Sequence, residues 1–128
     1  MSGVQRFEDL VAWQKARELC RCVYETTRTG PLARDFGLAA QMQRAAVSVM
    51  SNVAEGFERH RRQEFHQFLS VAKSSCAEVR SHLYVALDTG YLAPGQFESM
   101  NSLAQEVARL VGALRASVQR RIDSDKEY

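Results

Sequence analysis

The stretch Phe36–Arg62, FGLAAQMQRAAVSVMSNVAEGFERHRR, constrains the fold more than any other part of the chain. From Phe36 to Ala54 it carries a single charge, Arg44, and no proline. Alanine, leucine, methionine and glutamine favour helix. At about 100° per residue, Leu38, Ala39, Met42, Ala45, Ala46, Val49, Val53 and Phe57 share one face. A second apolar strip, Phe36, Ala40, Val47, Met50 and Ala54, runs along the far side. The polar remainder is mostly one seam of Gln41, Arg44, Ser48, Asn52 and Glu55. A helix that is apolar nearly all round must be covered nearly all round. Each helix of a small bundle has only two neighbours, so the second strip implies contact with another subunit.

The rest of the chain supplies three partners for this helix. Residues 7–28 show a core arc of Ala12, Trp13, Ala16, Leu19, Cys20, Val23 and Tyr24. Phe7, Val11 and Cys22 point elsewhere, either as scattered surface apolars or as part of a subunit contact. Gly30-Pro31 ends this helix, and Asp35 is the expected N-cap of the next, 36–58. A third helix, 63–88, carries the stripe Phe65, Phe68, Leu69, Ala72, Cys76, Val79, Leu83, Ala86 and Leu87, and closes at Thr89-Gly90. Tyr91 and Leu92 are expected to pack over the bundle end. Pro94 opens a fourth helix, 94–121, where its missing N–H costs nothing. Phe97, Met100, Ala104, Val107, Val111, Leu114 and Val118 recur there at alternating spacings of three and four, a seam for low-angle packing. Residues 1–6 and 122–128 are expected to be flexible. The sequence therefore predicts one all-α domain, an up-down-up-down antiparallel four-helix bundle.

The same segments carry a resemblance. Phe36–Arg59 is similar to the central motif of the four helix bundle proteins, also called 23S rRNA intervening-sequence proteins. FEDLVAWQKARELC and EFHQFLSVAKSSCAEVRSHLYVALDTGYL resemble the other signatures of that family, and the likeness spans roughly 7–114. Members carry proline where this chain has Met50, so the helix here is expected to run straighter. The resemblance implies a ring-like homo-oligomer, a homopentamer with a central channel. It also extends to the accessory variability determinant of diversity-generating retroelements, a basic ring that binds nucleic acid and a reverse transcriptase. This implies RNA or DNA, and a protein, as partners.

Composition sets the limits of that expectation. A net charge of +2 excludes neither nucleic acid nor protein as partner. The three cysteines, Cys20, Cys22 and Cys76, are odd in number and follow no secretory signal, which points to reduced thiols and a cytoplasmic protein. No apolar run reaches the about 18 residues of a membrane span.

The residues offer little chemistry of their own. Di-iron bundles use Glu-x-x-His motifs, whereas Glu78 and His82 are four apart. Cys20 and Cys22 point about 200° apart on a helix and cannot share a metal. There is no phosphate loop, dinucleotide fingerprint or nucleophile elbow. The reading is non-enzymatic, without cofactor or metal. Two constellations remain. The polar seam Arg44, Ser48, Asn52 and Glu55 needs partners if covered, and hairpin register puts Arg44 beside Glu78, with Ser75 or His82 alongside. The run Arg59, His60, Arg61 and Arg62 is either a solvated loop or a phosphate-attracting spot that ring symmetry would multiply. Arg115, Arg120 and Arg121 form a second candidate patch, expected at the opposite end of the bundle. No aromatic interleaves the basic run, which argues against base stacking there. The alternative function is a structural or protein-interaction oligomer with no nucleic-acid role.

Overall fold

The computed structural model describes residues 3–126. Four long helices form an antiparallel bundle: α1 (Val11–Thr27), α3 (Phe36–Glu58), α4 (Arg62–Asp88) and α5 (Pro94–Lys126), with a short α2 (Gly30–Arg34) between the first two. Helix α1 packs against α3 and α5, and α4 packs against the same two from the other side. No strand occurs among the described residues.

The expected apolar stripes meet in the centre. Leu19, Val23, Met42, Val49, Val53, Leu69, Val79, Leu83, Val107 and Val111 are all fully buried. One polar pair at the edge of this core joins two helices. The buried Thr27 hydroxyl of α1 accepts from Gln43 Nε2 of α3 at 2.9 Å. Helix α3 continues unbroken through Met50.

Helix ends follow local chemistry. Asp35 Oδ1 accepts from the Leu38 N–H at 3.2 Å, the N-cap contact expected of it. Its other oxygen accepts from the Tyr91 hydroxyl at 3.0 Å, tying the start of α3 to the α4–α5 connection. This bond raises the Tyr91 pKa, since the phenolic proton is held by a carboxylate. At the end of α4, the Gly90 N–H bonds Leu87 O and the Tyr91 N–H bonds Ala86 O, with Gly90 at φ +79°. That is a Schellman cap, and Leu92 beyond it is buried against the core.

The boundaries differ from expectation in three places. Helix α1 begins at Val11, preceded by a single 3-10 turn at Phe7–Asp9. Gly30-Pro31 does not merely stop a helix. Gly30 takes φ +65°, Pro31 sits in the first turn of α2, and Leu32 within α2 is buried. The expected flexible tail is also corrected, because α5 continues to Lys126 and buries Ile122. The apolar seam that keeps a helix together extends one step further than the heptad count reached. The expectations for residues 1, 2, 127 and 128 fall outside the described residues.

These lengths decide the shape of one end. At 1.5 Å per residue, α5 is about 50 Å long and α1 about 25 Å. At the end where α3 passes to α4, α1 is missing its share of the wall. Val4, Phe7 and Leu10 of the N-terminal segment pack there on the core that includes Val118 and Ile122.

Candidate nucleic-acid interface

The α3–α4 turn brings the basic run together. Gly56 lies on the buried face of α3, and a Cβ there would stand 2.6 Å from Phe68 Cβ. Only glycine lets α4 approach so closely at this crossing. His60 then reverses the chain with φ +58°, in the left-handed region, and Arg61 precedes α4 without a side-chain cap.

Carboxylates meet each arginine of the run. Arg59 pairs with Glu55 at 3.2 Å and with Glu64 at 3.5 Å, and its guanidinium lies 5.1 Å from the centre of the Phe68 ring. Arg61 pairs with Glu64 at 3.3 Å. Arg62 pairs with Asp125 near the end of α5. These pairs are largely exposed and contribute little to stability, but they cancel much of the local field.

The Arg62–Asp125 pair also corrects the expected separation of the two basic patches. From the α3–α4 turn the chain climbs along α4 and returns along α5, so the end of α5 comes back to the level of the turn. Arg121 accordingly lines one cleft of about 490 Å³ together with His60, Arg61 and Arg62. Arg120 is exposed nearby on α5. Arg115 turns instead toward α4, donating from Nε to Ser70 Oγ at 2.7 Å.

That bond belongs to a groove the sequence did not reveal. Between α4 and α5, a hollow of about 460 Å³ is lined by Ser70, Lys73, Ser74, Ala77, Arg80, Ala108 and Arg115. It holds three cations and two hydroxyls, and no carboxylate among the described residues lines it. Arg80 donates to Asn101 Oδ1 at 3.2 Å, a neutral partner that holds the guanidinium without discharging it. Lys73 and Arg80 are seven residues apart, two turns or about 10 Å along one face. Their spacing was the available signal, but Arg115 joins them only through the packing of α5 on α4. The outer face of α1 offers a larger hollow, about 660 Å³, with Glu8, Glu18 and Glu25 set among Arg6, Arg17 and Arg21. Its mixed charges give no preference for an anion.

The polar seam is built differently from the expectation. Ser48 Oγ and Ser75 Oγ lie 2.8 Å apart, and Asn52 Nδ2 donates to Ser48 O at 2.8 Å and to Ser48 Oγ at 3.0 Å. Arg44 and Glu78 do not form an ion pair; both side chains are exposed. Axial register placed them level, but their positions around each helix axis leave both with access to water, where hydration outcompetes pairing. Glu55 goes to Arg59 instead. His82 is buried, and its Nδ1 has no hydrogen-bond partner among the described residues.

The apolar residues assigned to subunit contacts divide into two groups. Phe36 is 79% exposed, Val11 55% and Val47 37%, and Ala40 is exposed as well. Met50, Ala54 and Cys22 are half-buried. Phe7 has a partner within the chain, the Trp13 ring, edge-on at 5.1 Å. Val71, Tyr84 and Val85 of α4 are exposed too and were not anticipated.

The cysteines are free thiols. Burial pushes Cys76 up to about 11, and raises Cys20 and Cys22. The thiolate needed for nucleophilic chemistry is thus disfavoured at all three. No group of three or more His, Cys, Asp or Glu among the described residues could hold a metal ion. No described helix is long and apolar enough to cross a membrane.

Among solved structures, the chain is similar to a protein of unknown function from the S23 ribosomal protein family of Bacteroides thetaiotaomicron VPI-5482. The match has a TM-score of 0.75 at 22% identity, covering 82% of this chain and 98% of the other. At that identity the likeness speaks for the helical fold. No curated protein matches the chain. Residues 8–113, which hold the α3–α4 hairpin and most of α5, match the family described as 23S rRNA-intervening sequence protein. The chain belongs to the 23S rRNA-intervening sequence protein family.

Proposed function

We propose that the protein is a non-enzymatic, cytoplasmic assembly module that forms a ring of identical subunits and binds RNA or DNA through the phosphate backbone. The observation that carries this reading is the α4–α5 groove, where Lys73, Arg80 and Arg115 stand with Ser70 and Ser74 and, among the described residues, without a carboxylate. Phosphate contacts need clustered cations and hydrogen-bond donors but no sequence code. Three cations in one subunit bind weakly, and a ring repeats them, so affinity grows through multivalency. The exposed apolar strip Phe36, Ala40 and Val47 supports self-association, for which the family resemblance suggests a homopentamer. A protein partner on the same ring is compatible with it.

Fluorescence anisotropy with a labelled RNA or DNA duplex over a salt series tests the proposal. Affinity is expected to fall steeply with salt, with a log–log slope of about −0.9 per phosphate neutralised. Lys73→Glu and Arg80→Glu are each expected to weaken binding for all sequences alike and to reduce the slope by about 1. Light scattering of the wild type and of Val47→Glu reports the assembly, which is expected to shrink in the variant.

A second reading, an interaction oligomer with no nucleic-acid role, is favoured by the carboxylate pairing of Arg59, Arg61 and Arg62. Absence of binding to any nucleic acid at low salt selects it.

A further inference from the structure

The basal cleft combines two chemistries that the α4–α5 groove does not. It is open because α1 begins only at Val11 while α5 runs on to Lys126. Its inner wall includes Leu10, Phe57, Phe65 and Leu114, its mouth carries His60, Arg61, Arg62 and Arg121, and no carboxylate among the described residues lines it. The wall is aromatic at its centre: Phe57 and Phe65 meet edge-on at 6.0 Å, and the His60 ring lies 6.3 Å from Phe57. Arg61 and Arg62 spend part of their charge on Glu64 and Asp125, whereas Arg121 has no ion pair among the described residues. The volume, about 490 Å³, lies in the roughly 300–1,000 Å³ range of small-molecule sites.

A wholly apolar ligand would leave the arginines unused, and a bare anion would leave the aromatic wall wet. A flat, weakly polar ring carrying a phosphate uses both. We propose that the basal cleft binds a nucleotide, its base against Phe57 and Phe65 and its phosphate at Arg61 and Arg121. On a nucleic acid this is an unpaired terminal nucleotide, so the groove would track the backbone while the cleft holds the strand end. That extension rests on the nucleic-acid reading above, whereas the cleft itself does not.

Adenosine 5′-monophosphate is the first probe, followed by NMR of the Phe57 and Phe65 ring protons and the Leu114 methyls. Saturable shifts at millimolar nucleotide or below are expected, reduced several-fold by Arg121→Glu and by Phe57→Leu. Arg121 is exposed, so its variant separates loss of binding from loss of folding. No shift, or the same shift with ribose 5-phosphate or inorganic phosphate, overturns the proposal. A hairpin RNA with a blunt end, compared with the same hairpin bearing one unpaired 3′ nucleotide, tests the extension. A preference of roughly fivefold or more for the overhang, abolished in Arg121→Glu, is expected from base–aromatic stacking. Equal binding of both hairpins overturns the strand-end role and leaves the groove reading intact. If neither RNA binds, the groove reading fails, and the mononucleotide titration still decides the cleft.

Discussion

Replacing Gly56 by alanine sets local and tertiary physics against each other. Gly56 lies inside α3, where alanine is favoured over glycine by about 1 kcal/mol, partly because glycine leaves the unfolded chain freer. The added methyl, however, would stand 2.6 Å from Phe68 Cβ, 3.0 Å from Phe65 Cδ1 and 3.3 Å from Phe68 Cγ. The nearest obstacle is a β-carbon attached directly to the α4 backbone, so no side-chain rotation removes it. The helices would have to part by roughly 1 Å, weakening dispersion attraction along the crossing. Overpacking of this kind costs about 1–3 kcal/mol, here toward the upper end, which leaves a net loss of about 1–2 kcal/mol after the helical gain. For a chain of 128 residues that is a drop in Tm of about 3–10 °C. Gly112 is the internal control. It also lies within a helix, but an added Cβ meets only the end of Lys73 at 3.9 Å, so Gly112→Ala should be stabilising by about 0.5–1 kcal/mol. Urea and thermal unfolding of both variants, monitored by circular dichroism, give the answer. A Gly56→Ala protein as stable as the wild type, with an unchanged m-value, would refute the close-approach argument.

Alkaline pH should weaken the fold through Cys76. Its folded pKa of about 11 exceeds the ordinary 9.0, so the unfolded chain loses this proton first. The stabilisation is complete below about pH 9 and disappears as pH rises through about 11, amounting to about 2–3 kcal/mol. Urea midpoints between those values should decline more steeply for the wild type than for Cys76→Ala, and parallel declines would sink the assignment. Asp125→Asn should change stability by less than about 0.5 kcal/mol, because its pair with Arg62 is half-exposed. It should nevertheless tighten RNA or nucleotide binding by releasing the Arg62 charge at the cleft mouth, as measured by anisotropy. Unchanged or weaker binding would count against a role for Arg62.

Side-chain periodicity carried most of the architecture. The stripes of α1, α3, α4 and α5, the Asp35 cap and the Thr89-Gly90 stop are local patterns, and each is realised where the chain placed it. They depend on a residue and its neighbours within a turn or two, which is information a linear chain displays. Ser75 was legible as a partner of the seam for the same reason, through hairpin register.

Tertiary packing decided what register alone could not. Arg44 and Glu78 are level along the bundle but do not pair, because the rotation of each helix about its own axis is set by the whole core. The neutralisation of Arg62 by Asp125 and the meeting of Arg121 with His60 depend on α5 returning to the α3–α4 turn. The groove of Lys73, Arg80 and Arg115 likewise joins residues of two helices whose lateral approach is a product of packing. Gly56 shows the division most plainly: its place near a helix end was visible in the chain, but its purpose, a methyl-sized gap against Phe68, exists only once α4 lies across α3. Segment patterns specify which faces are apolar; the mutual fit of four such faces chooses which charges end up neighbours, and through them the surface offered to a partner.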